Sequence, residues 1–133
     1  MFEINRKIIN TKAAPSAIGP YSQAIKFNNL IFVSGQIAIN PDSNEFVNGN
    51  IASQTIQVIE NIKAILESAG SSLEKILKVT IYITDMKDFD SINIVYSEYF
   101  NSSLPARACI EVSNLPRGAK VEMDAIASVD SLP

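Results

Sequence analysis

Between Ile51 and Thr84 the chain changes its hydrophobic period, and few architectures accept both periods side by side. Ala52, Thr55, Ile59, Ile62, Leu66 and Ala69 recur at alternating spacings of three and four, which places them on one face of a helix running from about Ile51 to Ala69. Gly70 then stands where a left-handed C-terminal cap is expected. A few residues later the period falls to two. Leu77, Val79, Ile81 and Ile83 alternate with Lys78, Thr80, Tyr82 and Thr84, the mark of a strand over Ile76 to Thr84 with one covered face. An amphipathic helix followed directly by such a strand has to bury its stripe on a sheet.

The remaining patterns extend this plan. A second helix is expected from an N-cap at Asp88 to about Phe100, with Phe89, Ile92, Tyr96 and Tyr99 in its stripe. Leu30 to Ile37, Ala106 to Ser113 and Ala119 to Val129 are rich in β-branched residues, and Lys7 to Ile9 and Gln23 to Phe27 are shorter candidates. The predicted order is β-β-β-α-β-α-β-β, an α+β fold with two helices on one face of a mixed sheet. Turn residues such as Pro41, Gly49, Gly70 and Pro116-Arg117-Gly118 punctuate it, and no linker divides it, so residues 1–133 read as one domain. Alternation assigns Ala108, Ile110 and Val112 to the core, with Arg107, Cys109 and Glu111 opposite. In the last strand Val121, Met123, Ala125 and Ala127 take the core side and Lys120, Glu122 and Asp124 the other. Arg107, Cys109 and Glu122 are thus expected to share the face that no helix covers. Leu30, Phe32, Tyr82 and Ile126 fall on that face too, an apolar share that points to an interface and an oligomer.

Composition removes whole classes of chemistry. The chain has no His, so serine and cysteine dyads built on imidazole and most zinc sites are excluded, and no metal site is expected. One Cys cannot form an internal disulfide. With 11 basic against 14 acidic residues, a net charge of −3 disfavours nucleic acid as a partner. No phosphate-cradling glycine loop occurs. No stretch approaches the roughly 20 apolar residues that cross a bilayer, and the N-terminus lacks the apolar run of a signal peptide, so a cytoplasmic protein without a membrane partner is expected, with organelle import left open. What remains is a kit of Arg, Glu, Tyr, Ser, Cys and backbone groups, suited to binding a small carboxylate and activating a water.

Several segments together carry a resemblance. Ala17-Ile18-Gly19-Pro20-Tyr21-Ser22-Gln23-Ala24, Phe32-Val33-Ser34-Gly35-Gln36-Ile37, Gln54-Thr55, Asn61 to Leu66, Asp88-Phe89 with Asn93, Tyr96 and Phe100, Pro105-Ala106-Arg107-Ala108-Cys109, and Val121-Glu122-Met123-Asp124-Ala125-Ile126-Ala127 resemble, in this order, the RidA (YjgF/YER057c/UK114) family. The resemblance spans roughly residues 7 to 129. It implies a chorismate-mutase-like α+β fold of the bacillary type and a homotrimer with sites at the subunit clefts. It further implies cofactor-independent hydrolysis of 2-imino acids such as 2-iminobutanoate and 2-iminopropanoate, or their enamines, to 2-oxo acids and ammonia. Subgroups lacking the catalytic arginine are not expected to be deaminases, whereas this chain keeps it as Arg107.

On this resemblance Arg107 clamps the substrate carboxylate and Glu122 positions the attacking water. Tyr21, Ser34, Gly35, Phe89, Asn93 and Cys109 line or contact the pocket. The physical chemistry agrees for Arg107, whose planar fork meets a carboxylate through two parallel hydrogen bonds. The residues alone leave other readings open. Arg107 could pair with Glu111 or Glu122, Glu122 could be a solvated strand residue like Lys120 or Asp124, and Tyr21 and Phe89 could be packing aromatics. Cys109 lacks any activating base, so its main-chain groups are the expected contact and its thiol a space filler. An endoribonuclease or translation inhibitor, and a non-enzymatic ligand-binding or chaperone-like trimer, are the alternatives that the family leaves open.

Overall fold

The computed structural model describes residues 5–130. Six strands, β1 (Arg6–Ile9), β2 (Ala24–Phe27), β3 (Leu30–Gln36), β4 (Ile76–Ile83), β5 (Ala106–Glu111) and β6 (Val121–Ser128), form one sheet in the order β1-β2-β3-β6-β4-β5. Helices α1 (Ile51–Ser68) and α2 (Phe89–Tyr99) complete the anticipated β-β-β-α-β-α-β-β order. All neighbouring strands are antiparallel except β4 and β5, which run parallel because α2 carries the chain back between them.

Local chemistry sets the helix ends. The Asn50 side chain accepts from the Ser53 N–H at 2.9 Å and caps α1. At the other end Gly70 adopts φ +83°, its N–H bonds to the Glu67 carbonyl, and the Ser71 N–H reaches the Leu66 carbonyl at 2.9 Å, a Schellman closure. The expected start of α2 needs correction. Asp88 already has helical dihedrals and makes no cap. The cap lies upstream at Asp85, whose side chain accepts from Lys87 N–H and opens a 3-10 turn leading into α2.

The core lies between the helices and one face of the sheet. Val58, Ile59, Ile62, Ile65 and Leu66 of α1 and Ile92 and Val95 of α2 meet Ile31, Val33, Val79, Ile81, Ile83, Val121, Met123, Ala125 and Ala127. Each Ile or Leu so buried stabilises the fold by about 1.5–3 kcal/mol. Two irregularities bend this sheet. Opposite β6, β4 holds one extra residue between Ile76 and Lys78, and this bulge turns Leu77 outward to 50% exposure while Ile76 goes inward. Leu77 therefore does not join the core set expected from simple alternation. A second register shift, between Val33 and Gln36, lies at Ser34-Gly35.

The face assignment of β5 is also overturned. Val79 pairs with Arg107 and Ile81 with Cys109 in parallel register, so Arg107 and Cys109 point to the helix side. Ala108 and Ile110 point to the uncovered face, where Ile110 is 46% exposed. Polarity alone selected the wrong set because β5 is an edge strand: α2 offers Arg107 aromatic surface there, and the uncovered face is itself apolar. Ile8, Phe27 and Phe32 are exposed on that face along with Ile110.

Candidate active site

The chemistry-bearing residues gather in two clefts. The first is a space of about 280 Å³ whose lining includes Ile18, Tyr21, Gly35, Pro116, Arg117 and Glu122. Its wall is the segment before β2, pinned by Gln23. That buried amide accepts from the Thr11 N–H at 2.7 Å and donates to the Thr11, Ala14 and Pro15 carbonyls. Ser34 adds a tether, its hydroxyl donating to the Ser22 carbonyl at 2.6 Å. Ser34 therefore fixes the loop that carries Tyr21. Tyr21 itself is half-exposed, with Ile18 N–H 3.5 Å from its hydroxyl.

Glu122 enters this cleft from β6, on the sheet face that no helix covers. Gly35 is the condition for its placement. A Cβ at position 35 would stand 2.5 Å from Glu122 Oε2 and 2.9 Å from its Cδ, so only a residue without a side chain lets the carboxylate lie there. Burial, and then the charge of Asp124, push the Glu122 carboxyl above the ordinary carboxylate range, which makes it a better proton acceptor. Asp124 meanwhile accepts from the Tyr82 hydroxyl at 3.0 Å.

The second cleft, about 310 Å³, lies at the β5 edge among Asn93, Tyr96, Phe100, Leu104, Pro105 and Arg107. Arg107 Nη1 donates to Asn93 Oδ1 at 2.7 Å. Its Cζ stands 4.8 Å from the Tyr96 ring centroid and 5.6 Å from that of Phe89, within cation–π range of both. Neither carboxylate considered from sequence is its partner: Glu111 accepts from the Met86 N–H, and Glu122 is on the opposite face. Cys109 sits beside Arg107 on the helix side. Burial raises its thiol pKa more than the Arg107 charge lowers it, so the thiol is not primed as a nucleophile. Among the described residues no group of His, Cys, Asp or Glu is placed to hold a metal ion, and no helix is long and apolar enough to cross a membrane.

The structure thus brings Tyr21, Gly35 and Glu122 together in the first cleft and Asn93 and Arg107 in the second, with Phe89 and Cys109 beside Arg107. The sheet separates the two groups, so Arg107 and Cys109 do not share a face with Glu122 as alternation led one to expect. Gln23 and Arg117 were not singled out. Gln23 left the signal of an amide between turn residues and a strand, and Arg117 that of the Pro-Arg-Gly turn. The family described as Endoribonuclease L-PSP matches residues 11–129 of this chain.

The chain belongs to the L-PSP/RidA family.

A RutC family protein of Pyrococcus abyssi is 57% identical over 122 residues, covering 92% of this chain and 96% of that one. A mouse protein named 2-iminobutanoate/2-iminopropanoate deaminase is 44% identical over 127 residues, covering 96% and 94%. The solved structure of Escherichia coli TdcF with bound serine superposes with a TM-score of 0.90 at 41% identity, covering 93% of this chain and 99% of that one. The L-PSP/RidA fold is therefore present over nearly the whole chain, and Ile18, Tyr21 and Gln23 of one resembling segment and Pro105 and Arg107 of another line its two clefts.

Proposed function

We propose that this L-PSP/RidA protein hydrolyses reactive 2-imino acids, such as 2-iminobutanoate and 2-iminopropanoate, at a site built between two copies of the chain in a homotrimer. The observation that carries this reading is the guanidinium of Arg107, held by a neutral amide with no carboxylate bound to it among the described residues, in a cleft open to a small anion. The deaminase name of the mouse relative and the amino acid bound to TdcF support the same substrate class. In one copy Arg107 and Glu122 stand on opposite sides of the sheet, so they can act on one molecule only across an interface. The apolar uncovered face supplies the surface for that association.

The chemistry asks little of the protein. Arg107 binds the substrate carboxylate and orients the imine carbon toward the Glu122 cleft of a neighbouring copy. Glu122 accepts a proton from the attacking water as the water oxygen bonds to the carbon of the protonated imine and the C=N electron pair moves onto nitrogen. Glu122 returns that proton to the amine, ammonia leaves as the hydroxyl oxygen forms the carbonyl, and the hydroxyl proton passes to solvent, leaving a 2-oxo acid. The test adds purified protein to a threonine dehydratase reaction and times 2-oxobutanoate release, with sedimentation on the same preparation. Faster release and a mass of three chains are expected. A monomer, an unchanged rate, or RNA cleavage in a parallel incubation without faster release would replace this reading.

A further inference from the structure

Asn93 and Tyr96 stand one helical turn apart on α2 and meet the same group. Asn93 Oδ1 takes one N–H of Arg107 at 2.7 Å, and the Tyr96 ring lies under the guanidinium at 4.8 Å. Five N–H donors radiate from an Arg side chain, so this arrangement leaves most of the fork unused. Among the described residues the one ion pair is Lys75 with Asp130, far along the chain from Arg107. The guanidinium is therefore oriented by a dipole and an aromatic face, neither of which cancels its charge. We propose that Asn93 and Tyr96 are positioning residues, which preorganise Arg107 for an incoming carboxylate by holding it without a counter-charge. The inference rests on Arg107 being the carboxylate clamp, and it assigns to Asn93 the fixing of Arg107 where the family resemblance gave it a pocket contact.

The two residues contribute in different ways. An aspartate at position 93 would offer the same oxygen in the same place, but with a charge that pairs to the fork and competes with substrate. At position 96 the contribution is the ring. Tyr96 is 6% exposed and its hydroxyl is buried without a hydrogen-bond partner among the described residues, so the hydroxyl is not what engages Arg107.

The test compares Asn93→Asp, Tyr96→Leu and Tyr96→Phe with wild type. It reads KM and kcat for 2-iminobutanoate, the Kd of the product 2-oxobutanoate by calorimetry, and the melting temperature. Asn93→Asp is expected to raise KM and Kd by roughly 10-fold or more, with kcat less affected, while the melting temperature holds or rises through the new ion pair. Tyr96→Leu is expected to raise KM similarly, and Tyr96→Phe to recover most of that loss. A merely structural role moves affinity and melting temperature down together, and that pattern would overturn the proposal. So would wild-type affinity in Asn93→Asp, or a Tyr96→Phe protein as impaired as Tyr96→Leu. A wild-type protein that neither binds 2-oxobutanoate nor speeds imine hydrolysis strikes the proposed function first, and this inference with it.

Discussion

Replacing Gly35 by Ala isolates the contribution of the Glu122 carboxylate without touching it. The new Cβ would lie 2.5 Å from Oε2, whereas ordinary contact begins near 3.4 Å, so the carboxylate must withdraw by about 0.9 Å. The obstacle is the end of a flexible side chain, and Gly35 does not have a left-handed φ, so the fold can absorb the change. Restricting the unfolded chain even favours Ala by about 0.4–1 kcal/mol, which offsets the cost of rotating Glu122. Stability should therefore stay within about 1 kcal/mol of wild type. Turnover should not, because a displacement near 1 Å of a positioned group can cost about 100-fold. The assay is 2-oxobutanoate release with threonine dehydratase, run beside thermal melting. A Gly35→Ala protein with wild-type kcat would refute the placement of Glu122 as the water-activating base. A fall in melting temperature that accounts for all lost activity would show instead that Gly35 serves the fold alone.

Three further outcomes follow from the same geometry. Arg107→Ala should lose at least about 10- to 100-fold in kcat/KM with little change in melting temperature, and Arg107→Lys should recover little of it; a folded Arg107→Ala protein at the wild-type rate refutes the clamp. Cys109→Ser should retain most of the activity, since the thiol pKa is raised and no base adjoins it; complete loss in a folded protein would make the thiol a reactant. The acid limb of kcat should lie above the ordinary carboxylate value of 4.5, because Glu122 acts as its anion and burial raises its pKa, so activity falls as pH falls through that raised value. Glu122→Gln should remove this limb along with most turnover, and an unshifted limb in Glu122→Gln would assign it to another group.

The order of elements was legible because each carried its own period: the stripe of α1 and the alternation of β4 and β6 were clear before any contact was known. The side of β5 was not, since Arg107 and Ala108 exchange faces once an aromatic helix surface covers the edge strand and an apolar surface lies on the other side. Leu77 was misplaced by a bulge that composition does not announce. At the site, Arg107, Glu122 and Tyr21 were picked out by resemblance, and Gly35 by resemblance and its freedom from a side chain. The partners Asn93 and Gln23 show their roles only in three dimensions, because an amide's sequence neighbours do not reveal which carbonyls or guanidinium it reaches.

The placement of Arg107 and Glu122 on opposite sides of one sheet has a consequence for inheritance. In the proposed trimer each chain lends its arginine to one site and its glutamate to another, so a chain damaged at one of them still donates a sound half elsewhere. Two alleles, one lacking the arginine and one the glutamate, are each inactive alone. Co-assembled in equal amounts, they would regenerate intact sites at about a quarter of the interfaces. Such a pair would complement one another in a cell, whereas two alleles damaged in the same cleft would not.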